Sequence, residues 1–104
     1  MADLEYNEEL QDAADLRAQE SSILFSHSRP NNTNFDTVVD IDFKCLGENL
    51  IKSDDINVNA EKLIEAWMDS EGHRRNILTE EYTSMAVGVY KTDNMIYAVQ
   101  IFMG

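Results

Sequence analysis

Apolar and polar positions alternate along this chain in two periods, one helical and one strand-like. Leu10, Ala13, Ala14, Arg17 and Ala18 recur at helical spacing in a segment rich in Ala, Leu, Glu, Gln and Arg, and predict a helix over residues 4–22. The triplet Ile23-Leu24-Phe25 that follows is expected to dock on the core. Residues 26–34 read as a loop, because Pro30 and Asn31, Asn32 and Asn34 oppose regular structure; the sequon-like Asn31-Asn32-Thr33 is taken as loop composition. Val38, Val39, Ile41 and Phe43 fit either period, so a helical turn is expected first and a strand over about 44–51, then a polar loop.

A second helix is predicted over residues 59–69. Asn59 is placed to cap it and Glu61 lies in the first turn, where the helix dipole favours a negative charge. Leu63, Ile64 and Trp67 share an apolar face, while Glu61, Glu65 and Asp69 form a wet one. Ser70 is expected to cap a short helical turn over 71–77, accepting from the N–H of Gly72 or His73. Residues 85–102 read as a β-hairpin turning at the polar run 91–94, with Val, Ile, Tyr and Phe on both faces of both arms. Such a sheet must be covered on both sides. Residues 1–104 are therefore expected to form one α+β domain, with helices packed on an antiparallel sheet.

Composition narrows the partners. The hydrophobic fraction of 43% supports an ordinary core in 104 residues. A formal net charge of -12 argues against nucleic acid and anionic membranes, and favours cations and basic partners. Cys45 is the one cysteine, so the fold relies on its core; Cys45 itself is expected to be a small buried hydrophobe. No run approaches the roughly 20 apolar residues of a membrane span. The N-terminus has neither a basic region nor an apolar one of signal-peptide type, so an exported form would be a piece of a longer precursor.

Four segments in order resemble the CAP superfamily of cysteine-rich secretory, antigen 5 and pathogenesis-related proteins, most closely its short bacterial SCP-like extracellular branch. They are Leu10-x-x-Ala-Ala-x-x-Arg-Ala-x-Glu20, Phe25-Ser-His-Ser-Arg-Pro30, Gly47-Glu-Asn-Leu50 and Ala66-Trp-Met-Asp-Ser-x-Gly-His-Arg-x-Asn-Ile-Leu78, followed by Val87-Gly-Val and Val99-Gln-x-Phe102. The resemblance covers nearly the whole chain. It implies an α-β-α sandwich with a central antiparallel sheet, usually exported, and a cleft of two His and one or two acidic residues that in several members takes a divalent metal. Carried over by position, that cleft holds His27, Glu48 and His73, with Ser70 and Glu71 beside them; His27 and His73 are the only histidines of the chain. Many members carry Glu where this chain has Ser70, which leaves the fourth ligand open. The family's leading helix with its Leu-Asn-x-x-Arg pattern has no counterpart, so apolar surface and a monomer or weak dimer are expected.

Two imidazoles and a carboxylate suit zinc, which in catalytic sites keeps one position for water. Binding would require neutral His and weaken below about pH 6. Three readings follow. The one adopted is a secreted or cell-surface binding module holding a divalent metal, a small ligand or a lipid. The second is a metal-dependent hydrolase or peptidase with Glu48 as base or ligand; the Ser70 departure weighs against it. The third is a non-catalytic interaction domain of a bacterial surface protein.

Overall fold

The computed structural model describes residues 5–79 and 81–104, residue 60 by its backbone alone. The element order is β1 (Glu5–Tyr6), a 3-10 turn (Glu8–Leu10), α1 (Gln11–Ile23), a second 3-10 turn (Phe35–Val38), β2 (Leu46–Ser53), α2 (Ala60–Asp69), α3 (Glu71–Ile77), β3 (Ser84–Lys91) and β4 (Ile96–Met103). The strands form one sheet in the order β1-β3-β4-β2. Its three long strands are antiparallel, and two-residue β1 adds to the edge of β3 in parallel. The helices cover both faces, so the α+β sandwich with its C-terminal hairpin is the architecture found.

The register assigns the faces. Ala86 and Glu48 stand opposite Ile101, and Gly88 and Leu50 opposite Val99. This row faces α1, where Leu50, Ala86, Val99 and Ile101 pack with Leu10, Ala13, Ala14 and Ala18. The alternate row, with Ile51 beside Ala98, meets Leu63 and Trp67 of α2 and Ile77 of α3. Trp67 is 1% exposed, and its indole N–H donates to the carbonyl of Leu50 at 3.2 Å. A side chain on Gly88 would collide with the backbone of Ala14. Gly88 and the alanine stripe of α1 thus let helix and strand approach closely.

Several expectations change. The first helix starts at Gln11, because residues 5–6 give their backbone to the sheet edge: the N–H of Glu5 donates to Thr83 and that of Asn7 to Met85. The Asn7 carboxamide then caps the 3-10 turn by accepting from the N–H of Glu9. Residue 4 lies outside the described residues. Ile23, Leu24 and Phe25 do not dock; they are 73%, 42% and 40% exposed. The buried stripe of α1 ends at Ser21, and ion pairs hold the chain beyond it. Phe25 instead lies beneath the Lys52 ammonium, 4.8 Å from the ring centre. Ile64 is also exposed, as one buried row of Leu63 and Trp67 suffices against the narrow sheet. Cys45 is half-buried, because it flanks Gly104 at the end of the sheet. A side chain on Gly47 would meet the Tyr82 ring.

Candidate functional site

The site grows from a charged residue on an apolar stripe. Ala13, Ala14, Arg17, Ala18 and Ser21 form the buried face of α1, continuing from Leu10 of the preceding turn, and Arg17 is 0% exposed. A permanently charged guanidinium there requires a partner. Glu48 supplies it, because the β2 register points its side chain at α1. Arg17 Nε donates to Oε2 at 2.7 Å and an NH2 group to Oε1 at 3.0 Å, a two-pronged pair with both side chains out of water. The same NH2 donates to the carbonyl of Ser26 at 2.7 Å, which ties the loop to the helix.

Two further contacts extend the network. Glu20, one turn along α1, accepts from Arg17 at 3.0 Å and from Arg29 at 2.7 Å. Arg29 also donates to the Thr37 hydroxyl, so its positive charge serves the loop. On the other side of Glu48, His27 Nδ1 lies 2.9 Å from Oε1. Charges therefore alternate from Arg29 through Glu20 and Arg17 to Glu48. Burial opposes the charge of Arg17, but the two carboxylates outweigh it and hold its pKa above the ordinary value. Burial likewise pushes Glu20 up, and Arg29 with Arg17 outweighs that and holds it low.

His73 reaches the same strand from the other face. Asn49, next after Glu48, points toward α3 and is 0% exposed. Its amide donates to the His73 carbonyl at 3.1 Å, and Asn76 donates to Asn49 Oδ1 at 2.9 Å and to the Glu48 carbonyl at 3.3 Å. The buried strand, with Gln100 beside Asn49, thus docks α3 through amides. The hydroxyl of Ser70 lies 2.8 Å from His73 Nδ1 and makes no cap hydrogen bond to the backbone, contrary to the expected N-cap role. The imidazole takes that hydroxyl in place of a backbone N–H. Glu71 turns to solvent and pairs with Arg75 at 3.5 Å.

Of the expected cleft residues, then, His27 and Glu48 touch, Ser70 and His73 touch, and β2 links the two pairs through Glu48 and Asn49. Arg17, Glu20, Asn49 and Asn76 are the additions. Arg17 was signalled by its place at i+7 from Leu10, inside the apolar stripe. Among the described residues no three His, Cys, Asp or Glu side chains form a group that could hold a metal ion. Both Glu48 oxygens accept from Arg17, and Oε1 also lies against His27 Nδ1. Two surface depressions, of about 230 and 420 Å³, lie elsewhere and are not lined by His27, Glu48 or His73.

A two-faced α-β-α sandwich with a histidine on either side of its edge strand defines a class, and comparison identifies it. The chain belongs to the CAP, or cysteine-rich secretory protein, family, whose model matches residues 1–102. It is 32% identical over 97 residues to the uncharacterised protein YkwD of Bacillus subtilis, covering 88% of this chain and 37% of that protein. Its fold superposes with TM-score 0.81 on an extracellular SCP-domain protein of Bacillus anthracis, at 27% identity, over 96% of this chain and 33% of that one. It also superposes with TM-score 0.74 on an outer surface protein of Borrelia burgdorferi, at 20% identity, over 99% of this chain and 78% of that one. The chain thus spans little more than a third of YkwD and a third of the Bacillus anthracis protein. Among the described residues no helix is long and apolar enough to cross a membrane.

Proposed function

We propose that this chain is a binding domain of a bacterial extracellular or cell-surface protein, and that it holds its ligand at the imidazoles of His27 and His73. The observation that carries this reading is the state of Glu48. A hydrolytic base needs a free lone pair within reach of water or substrate. Glu48 is buried, its two oxygens accept from Arg17 and Oε1 also lies against His27 Nδ1, so water and substrate are kept from it and the hydrolase reading is disfavoured. The same contact gives Glu48 a different role: a carboxylate behind a histidine, which fixes the ring while the ring's other nitrogen meets the ligand. A divalent cation is the simplest ligand for such nitrogens, with His27 and His73 as donors and Glu48 behind His27. The surface location rests on the extracellular and outer-surface proteins to which the fold is similar.

Thermal melting at neutral pH, metal-free and with excess zinc, tests this on wild type, His27→Ala and His73→Ala. Zinc at about 100 times its Kd adds roughly 2.7 kcal/mol, and each kcal/mol raises Tm by about 4–8 °C at this size. The expected outcome is a rise in wild type that both variants lose. An unchanged wild-type Tm would remove the cation from the reading.

A further inference from the structure

We infer that Arg17, acting through Glu48, is a positioning residue that fixes the tautomer of His27 and so decides which ligands the site accepts. This deepens the reading given above and rests on it for the ligand, but not for the tautomer. The argument starts at the buried fork. Arg17 presents two N–H groups to Glu48, at 2.7 and 3.0 Å, with both side chains 0% exposed. A guanidinium has donors only, and it keeps its charge. Facing that fork, both Glu48 oxygens are acceptors.

His27 Nδ1 stands 2.9 Å from Glu48 Oε1. Two acceptors cannot share that contact, so Nδ1 carries the hydrogen. In a neutral imidazole the proton sits on one nitrogen only, which leaves Nε2 as a lone pair. The His27 side chain is 60% exposed, whereas the carboxylate behind it is fully covered. The loop cannot easily turn the ring away. Arg17 also holds the Ser26 carbonyl at 2.7 Å, and the His27 carbonyl accepts from the N–H of Phe35 at 2.9 Å. The Phe35 and His27 rings pack edge to face, with centroids 6.1 Å apart.

The site therefore meets its ligand at His27 as an electron-pair donor. Its partners are Lewis acids or groups bearing an N–H or O–H; a carbonyl or an anion finds no donor there while the ring is neutral. His73 carries no such constraint, because the Ser70 hydroxyl that contacts its Nδ1 either donates or accepts.

The test reads the tautomer directly, through ring-nitrogen NMR shifts and long-range N–H couplings of the two histidines, at a pH where the rings are neutral. Wild type is expected to show His27 with Nδ1 protonated and Nε2 bare. A bare Nδ1 in wild type would overturn the inference without any variant. In Arg17→Met and Glu48→Gln, judged folded by their amide spectra, the Nδ1–H preference is expected to fall, while Arg17→Lys, which keeps a cation at the carboxylate, retains most of it. An unchanged His27 tautomer in a folded Arg17→Met or Glu48→Gln protein would overturn the positioning role. Wild type showing the Nδ1–H form yet no zinc-dependent rise in Tm would support the positioning and sink only the cation.

Discussion

At the scale of single residues, the interaction that matters most is the Arg17–Glu48 pair. Removing one partner of a buried pair leaves an uncompensated charge, which costs about 3–5 kcal/mol. Glu48→Ala is therefore expected to lose that much in urea unfolding, while Arg17→Met combined with Glu48→Leu recovers most of it. A double variant no better than the worse single one would show that the pair is not the source of the loss. Glu20 adds a pH dependence whose sign follows from its neighbours. Its folded-state pKa is held below the ordinary value of 4.5 by Arg29 and Arg17, against the opposing effect of burial. The stabilisation is thus complete above about pH 4.5 and fades as pH falls below it through the lower folded value. Glu20→Gln should be less stable than wild type at pH 7, with the gap closing across that acid window. A constant gap would assign its loss to packing.

At the scale of elements, the contact of α1 with β3 is set by what is missing from its residues. Ala13, Ala14 and Ala18 present little side chain, and Gly88 presents none; an added methyl there meets the Ala14 backbone, which has no rotamer to yield. At Gly47 the methyl meets the end of the Tyr82 ring, which stacks on Phe102 with centroids 5.2 Å apart and can tilt. Overpacking costs typically about 1–3 kcal/mol. Gly88→Ala is expected at or above the top of that range and Gly47→Ala nearer the bottom, both read as a shift in urea midpoint. Equal losses would mean that α1 moves as readily as a side chain. These elements were legible in sequence to different degrees. The hairpin and α2 were plain, since alternation of Val, Ile and Tyr and the Asn59 cap are local signals; the Asn59 carboxamide does accept from the N–H of Lys62 at 2.9 Å. Strand β1 was not, because two residues carry no period and are made a strand only by the free edge of β3.

At the scale of the whole molecule, a net charge of -12 is confined to a body with a radius of gyration of 12.9 Å. That radius is close to the Debye length of about 10 Å at 0.1 M salt, so self-repulsion acts across the entire surface at low salt and is screened at higher salt. The buried Arg17–Glu48 pair is screened much less. Raising NaCl from about 10 to 200 mM is therefore expected to raise Tm; a fall would mean that exposed ion pairs outweigh the repulsion. The sequence by itself determined the class of fold, the capped helix and the hairpin, because periodicity, capping and turn chemistry act over a few neighbouring residues; the segments that hold His27, Glu48 and His73 were picked out by their resemblance to the CAP family. It left open what those side chains do. Glu48 carries over from the family pattern as a metal ligand or base; the β2 register turns it onto α1, where its oxygens accept from buried Arg17 and Oε1 lies against His27. Ser70 reads as a cap until the His73 ring takes its hydroxyl. Pairing across 31 residues, as between Arg17 and Glu48, is a property of the sheet's register and the helix's placement. No local pattern encodes it, so only the tertiary structure decided the chemistry of the site.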